Sequence, residues 1–539
     1  MKKILALILS LAMLFALAAC GSANEPAAEA PAEQEAAAPE EKPAEEPAAE
    51  SAGGDTLNLV LSTSDGSTTD DKVPTPWYNR NMATNLMFRS LFLANSSLTS
   101  AAPDLADYSI SDDGLVYTIT VKDGLKWSDG EPLTADDVVF SIETAKQAAT
   151  VNAIYTTAFS KISDMKVEGN VLTMTLTEPY AAMINVLAQF AILPQHSLKD
   201  ADPLAIDSDP FWKNPVTSGM YAMDEFSVGN YFTLKLNENY EGAAPKIQKV
   251  TVSFVTDFLT AAQAGSADYL YGNATDLVDG IAKLPDYTSE KIDVLFYKYF
   301  IFNMKGVDGK ENPAMQDVAV RRAIIEAIDR AALANLYPSA AVLNSGVPNS
   351  YTAYNGYEYK FDAEKAKADL TEAGYDFDHT LRICYYNNDQ TSIDLISAVA
   401  YYLEQTGMKV ETTLSNDGTT DLFTTREYDI GFKGKSAFSI DEWYTEYLST
   451  DALFANIFGG TDEFDEAVTA LFSATNESDR DAALKTLQEL EQEKVYKVPM
   501  FTLGNYVFLS NHVSVPENVE FCNPLYSCDI DFANWEMVG

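Results

Sequence analysis

Residues Gly114–Glu143 read GLVYTITVKDGLKWSDGEPLTADDVVFSIE. From Tyr117 to Lys122 branched or aromatic residues alternate with polar ones, which is the period of a half-buried strand. Asp123-Gly124 and Asp129-Gly130 then mark two turns, because Asp and Gly tolerate left-handed backbone. Thr134 followed three residues later by Asp137 approximates a capping box, and Val138, Ile142 and Ala145 repeat at helical spacing. Strand, turns and capped helix follow one another within one short window, so this part of the chain mixes α and β.

The same mixture extends outward in both directions. Thr56–Leu61, Val171–Thr177, Tyr231–Leu236 and Val250–Val255 have strand composition, and the polar run Ser62–Asp71 requires a turn. From Asp317 the pattern predicts one long helix with Val320, Ile324, Ala327, Ile328 and Ala331 on a single face. A further helix, Ala363–Ala373, stops at Gly374. Leu381–Tyr386, Ile393–Glu404 and Lys409–Thr413 alternate strand, helix and strand, and Tyr428–Lys433 adds another strand. This βαβ rhythm predicts a sheet covered by helices. Asn476–Glu493 supplies one more helix and Met500–Ser510 one more strand. No internal period of solenoid or propeller length is visible.

The chain has 539 residues, 47% of them apolar, which is enough for two to four domains. It carries 80 Asp plus Glu against 36 Lys plus Arg, a formal charge of −44, and no basic cluster. That excludes a nucleic-acid partner, which clustered positive charge would have to meet. Lys2 and Lys3 precede an almost wholly apolar run, Ile4–Ala19, too short to span a bilayer comfortably. It reads as a signal peptide over residues 1–19. Leu17-Ala18-Ala19-Cys20 resembles the end of a bacterial lipoprotein signal, in which Cys20 is lipidated. Residues 21–54 are mostly Ala, Glu and Pro with nine Glu against one Lys, so 20–54 is read as a lipidated cysteine on a disordered, self-repelling tether.

Catalytic chemistry finds little support. The three histidines, His196, His379 and His512, are far apart in sequence and form no metal-binding pair. No phosphate loop, dinucleotide fingerprint or nucleophile elbow is present, nor is an EF-hand spacing. Cys384 falls in a strand and reads as a buried apolar residue, whereas Cys522 and Cys528 are spaced to close a small loop by a disulfide in an oxidising compartment. The residues point to a secreted binder without metal or cofactor, recognising its ligand through aromatic faces and a few polar groups.

The quoted stretch closely resembles the signature segment of the extracytoplasmic solute-binding proteins of family 5, the oligopeptide-, dipeptide- and nickel-binding components of ABC importers. Trp127, Ser128, Asp129, Gly130, Thr134, Ala135, Asp137 and Val138 fall in the family's order and spacing. DVAVRRAIIEAIDR from Asp317 and FDAEKAKADLTEAGY from Phe361 agree with it, and the register extends over about Asp55 to Ala533. The resemblance implies a periplasmic-binding-protein-like α/β fold of class II: two lobes on a hinge plus an extra α+β domain. Lobe I is expected at 55–100, 213–299 and 505–539, the extra domain at 101–212 and lobe II at 300–504. It also implies that the chain is no enzyme. A monomer would close on solute and dock on a permease pair driven by cytoplasmic ATPase subunits. The signature itself is then structural, with Trp127 a buried indole.

Two departures bear on specificity. The family's GTGPY-like turn is replaced by Thr217-Ser218-Gly219-Met220-Tyr221, and Phe438 stands where peptide binders often carry the aspartate that meets a free amine, with Asp441 three residues on. The expected pocket comprises Trp77, Tyr78, Asn81 and Met82 after the first strand, and Lys435, Phe438, Asp441, Trp443 and Tyr447 in the 435–447 loop. Oligopeptides are the expected ligands. An oligosaccharide or a metal chelate is the alternative within the family, and a signal receptor or chaperone-like lipoprotein the alternative outside transport. The lipidated Cys20 and long tether fit the outer face of the cell membrane of a bacterium, preferably a Gram-positive one.

Overall fold

A computed structural model describes residues 55–538 apart from 65, 67, 97–99, 181, 308–310, 438 and 475. The leader, Cys20, the tether and Phe438 therefore lie outside the described residues. Among the described residues no helix is long and apolar enough to cross a membrane.

The alternating segments pair into one eleven-stranded mixed sheet. In chain order its strands are β1 (Thr56–Ser62), β2 (Tyr221–Ser227), β3 (Tyr231–Leu236), β4 (Lys249–Val255), β5 (Tyr269–Gly272), β6 (Tyr287–Phe302), β7 (Ala340–Val342), β8 (Thr380–Tyr385), β9 (Lys409–Leu414), β10 (Ile430–Ser436) and β11 (Lys497–Ser510). Across the sheet the order is β9-β8-β10-β6-β11-β5-β1-β4-β3-β2, with β7 beside β11. At one end β1 runs parallel to β4. At the other, β8 is parallel to both β9 and β10, and the helix Gln390–Gln405 connects β8 to β9. This is the βαβ unit that the alternation predicts. Its helix is capped by Asp389, which accepts from Ser392 N at 2.9 Å, and buries Leu395, Ile396, Val399 and Leu403 at helical spacing.

The two ends are joined by the longest strands. β6 has 16 residues and β11 has 14. β6 pairs with β11 and, from Phe296 to Phe302, with β10, while the far part of β11 pairs with β5. Both strands thus belong to both ends of the sheet. Their ladder slips between Ile292 and Phe296 and again between Lys298 and Tyr299. At the first slip Leu295 adopts a left-handed φ of 51°, a costly conformation for a residue with a branched side chain. Across from it Gly504 passes so close that a Cβ there would lie 2.4 Å from the Ile292 carbonyl oxygen. Irregularities of this kind bend a ladder and increase its twist.

A separate antiparallel sheet carries the opening stretch, in the spatial order Ala106–Ile110, Val116–Val121, Val171–Leu176, Ile162–Glu168. Trp127 is fully buried, with Nε1 donating to Asp137 Oδ2 at 3.4 Å. The same oxygen accepts from Thr134 N at 2.9 Å, closing the helix start that the sequence predicts. One expectation is corrected. The helix after Asp317 is not continuous: Val318–Glu326 ends, and Asp329 starts a second helix, Arg330–Ala334, by accepting from Ala332 N at 2.9 Å. Arg330 is drawn inward, donating to Asn344 Oδ1 at 2.7 Å and Tyr359 O at 3.0 Å, and Ala331 is left exposed.

Candidate binding cleft

A cavity of about 810 Å³ lies between the segment 152–180 and the segment 435–473. Lys161 and Tyr180 line it from the first side, and Lys435, Glu442, Thr445 and Phe472 from the second. The Tyr180 and Phe472 rings meet edge to face across it, 6.2 Å between centroids. A second cavity of about 320 Å³ shares Phe472 and is lined by Tyr108 and Tyr117 of the small sheet on one side and by Tyr351, Asp441 and Arg480 on the other. Both belong to one cleft between the small-sheet region and the β8–β10 end of the main sheet. Its lining mixes aromatic faces, hydroxyls and charges of both signs. Lys161 is tied to Glu178 and stands 5.3 Å from the centre of the Tyr180 ring. Asp465 accepts from Ser449 N at 2.8 Å.

The 441–450 segment owes its position to buried ions. Glu446 takes Lys497 at 2.7 Å and Lys435 at 3.2 Å, with Lys433 at 3.8 Å, and accepts from the Tyr299 hydroxyl at 3.0 Å. Burial opposes its charge, but the ammonium groups of Lys435, Lys497 and Lys433 hold its carboxyl far below the usual range. Lys497, fully buried, also donates to Trp443 O at 2.6 Å and sits 3.7 Å from the Trp443 ring centre and 4.6 Å from that of Tyr447. Burial pulls its ammonium down to about 8, against the opposite effect of Glu446. Glu491, from the helix Glu477–Lys494, accepts from Trp443 Nε1, from the Tyr444 and Tyr447 hydroxyls at 3.0 Å each and from Gly346 N at 2.9 Å. Gly346 has to be glycine, because a Cβ would lie 1.8 Å from the Trp443 ring.

The residues expected at the pocket fall at separate places in the fold. Trp443 and Tyr447 are completely buried with their polar atoms bound to Glu491, so they brace the cleft wall without lining either cavity. Trp77 is core as well, stacked on Phe190 at 5.1 Å and donating to Ala191 O at 2.7 Å. Tyr78 is 43% exposed and lines neither cavity. Asn81 caps the helix Met82–Met87, accepting from Thr84 N at 3.1 Å. Met82 lines a different cavity, of about 210 Å³, together with Leu86, Met220 and Tyr526. Cys522 and Cys528 border that cavity and are joined by a disulfide. Lys435 lines the larger cleft cavity. Asp441 borders the smaller one, but is buried and bound to Arg480 at 2.8 Å, so it already holds a cation.

Tyr180, Lys161, Phe472, Glu442 and Thr445 were not singled out from sequence. No local motif marks them, because the cleft brings together segments nearly 300 residues apart. One signal was available: Glu491 falls on the apolar stripe of its helix, with Leu484, Leu487 and Gln488. A carboxylate on such a stripe has to find donors nearby, and the hydroxyl-rich 443–447 stretch supplies them.

Residues 100–465 match the family model of bacterial extracellular solute-binding proteins, family 5 Middle. A Brucella ovis protein named as a candidate ABC transporter peptide-binding protein is 26% identical over 341 residues, covering 60% of this chain. The chain spans 62% of the length of that relative. The glutathione-binding protein GsiB of Salmonella typhi is 26% identical over 416 residues, covering 72% of this chain and 76% of its own. The crystal structure of the ABC transporter substrate-binding protein CtaP of Listeria monocytogenes is similar in fold, with a TM-score of 0.72 at 21% identity, over 91% of this chain and all of that one.

Proposed function

The chain belongs to the bacterial extracellular solute-binding proteins of family 5, and on that premise we propose that it captures short peptides in the cleft between 152–180 and 435–473 for an ABC importer. Its fold is the periplasmic-binding-protein-like α/β fold with two lobes. The observation that carries the reading is the cavity of about 810 Å³, of a size to enclose a small ligand and lined from both sides by aromatic and charged groups. Peptides present both signs of charge and apolar side chains, which such a lining can meet together. The peptide-binding name of the Brucella relative and the glutathione-binding name of the Salmonella one point the same way.

β6 and β11 are the elements about which the lobes close, since both strands are shared and their ladder is already broken at Leu295. The lobe limits at 299/300 and 504/505 fall inside these two strands, with 101–212 as the extra domain. The chain performs no chemistry of its own: it exchanges water for the cleft lining and delivers the solute to a permease pair whose ATPase subunits do the work. Cys20 carries the lipid that holds it at the outer face of the membrane.

A short oligosaccharide is the second reading, favoured by the rings of Tyr180 and Phe472 on the cavity wall. Thermal-shift titration of the purified protein with pools of two- to eight-residue peptides, oligosaccharides and metal chelates separates the readings. A rise in melting temperature with peptides alone supports the first. A rise with sugars or chelates alone overturns it and leaves the receptor class intact.

A further inference from the structure

The two cleft cavities lie back to back, and neighbouring residues divide between them. On the first side Tyr117 lines the smaller cavity and donates its hydroxyl, at 3.1 Å, to the carbonyl of Tyr180, which lines the larger. Gly114 of the smaller stands against Pro179 of the larger, where a Cβ on the glycine would lie 3.3 Å from the proline Cβ. On the second side Asp441 borders the smaller cavity and Glu442 the larger, and Ala474 and Ser473 divide in the same way. Among the described residues Phe472 alone borders both. Its ring meets the Tyr180 ring edge to face at 6.2 Å, so a pair of side chains, one from each wall, stands between the chambers. The two rings are held differently. Tyr180 is buried, whereas Phe472 is half-buried and is the last residue of the helix Asp462–Phe472. That helix is anchored by Phe464, Ala467, Val468 and Leu471, all buried, so its seat does not depend on the Phe472 ring. The chambers, of about 810 and about 320 Å³, each fall within the range of about 300–1,000 Å³ that encloses one small ligand. A ligand that needs both has to pass the ring pair.

We propose that Phe472 is the length-determining residue of the cleft: its ring, closed against Tyr180, ends the larger chamber and limits the solute to the peptide length that this chamber holds. The inference rests on the cleft being the peptide site, and it adds the feature that sets the upper limit of length. A peptide too long for the larger chamber has to turn the Phe472 ring aside. It then forfeits the contact that the two walls make through the ring pair, so excess length is penalised when the walls come together. A peptide within the limit leaves that contact intact. Removing the ring joins the two chambers and lifts the penalty.

The test offers the full protein an equimolar series of synthetic peptides, two to twelve residues long and built from one repeating composition, with the retained lengths read by native mass spectrometry. The wild type is expected to retain peptides up to a sharp upper length. Phe472→Ala is expected to move that limit up by about one to two residues, since the 6.2 Å between the ring centres compares with roughly 3.3–3.6 Å per extended residue. Phe472→Tyr, which keeps a ring at the partition, should keep the limit. Phe472→Leu, which keeps apolar packing at the helix end but removes the ring, is expected to move the limit in the same direction as alanine and serves if the alanine variant folds poorly. An upper length that stays where it is in the folded ring-less variants overturns the partition while leaving peptide binding in place. Retention of all lengths alike by the wild type does the same, and needs no variant. Retention of no peptide at all overturns the underlying reading of the cleft and the partition with it.

Discussion

The two walls of the cleft are braced by opposite means. Behind 152–180 the support is aromatic: Tyr155, Phe159 and Trp77 each meet Phe190, at 5.0, 4.9 and 5.1 Å between ring centres, and all four side chains are buried. Arg80, an ion buried there, is satisfied by neutral oxygens including Ser90 Oγ at 2.8 Å and Phe88 O at 3.2 Å. Behind 435–473 the support is ionic, with Glu446 shared by three lysines and Glu491 by an indole, two phenols and a backbone N–H. An aromatic brace loses stability in proportion to what is removed. A buried ionic brace does not, because each missing partner strands the others without solvent.

The largest expected effect follows from that asymmetry. Glu446→Gln leaves three ammonium groups around a neutral amide and should cost about 3–5 kcal/mol, the range for breaking a buried pair from one side. A denaturation midpoint close to the wild type's would show that the ionic wall is not the brace described. Next is pH. The folded pKa of Lys497 is lowered, so the unfolded chain binds more protons between about pH 8 and the ordinary lysine value near 10.4, and this group's contribution to stability rises with pH across that window. Glu446 has a dependence of the same sign on the acid side. Its folded pKa is depressed, so its contribution is complete above the ordinary glutamate value near 4.3 and is lost as pH falls toward the folded value. Denaturation across pH 3 to 10 should therefore show a steeper alkaline rise in the wild type than in Lys497→Met.

On the aromatic wall Phe190→Leu keeps the site apolar but gives up three ring contacts, and should cost about 1–2 kcal/mol. A cost as large as that of Glu446→Gln would erase the distinction between the walls. The smallest effect belongs to the cavity rim. Glu178, 60% exposed, pairs with Lys161, and Glu178→Gln should change stability by less than about 0.5 kcal/mol, since exposed pairs contribute little. The same denaturation series measures it.

The fold was legible because its signals are local. The Thr134–Asp137 helix start, the 380–414 strand-helix-strand unit and the indole of Trp127 all depend on residues close in sequence. The helix after Asp317 failed where two local signals compete: apolar spacing carries on through Ala331, but Asp329 offers its own side chain to the backbone and starts a new helix. The cleft was mostly illegible. Aromatic residues at 443–447 read equally as faces for a ligand or as partners for a buried acid. What decides between them is Glu491, 44 residues beyond Tyr447 and on another helix. Lys435, expected as part of the 435–447 loop, lies at the end of a strand and lines the larger cavity, whereas Tyr180 and Phe472 become neighbours only once the two regions face one another.

The central claim is that the cleft holds short peptides. It is tested most directly by mass spectrometry, under native and then denaturing conditions, on the protein purified without refolding from a peptide-rich host. Release of a mixed set of short peptides is the predicted result. A single sugar or metal-complex mass released from the folded protein would contradict it.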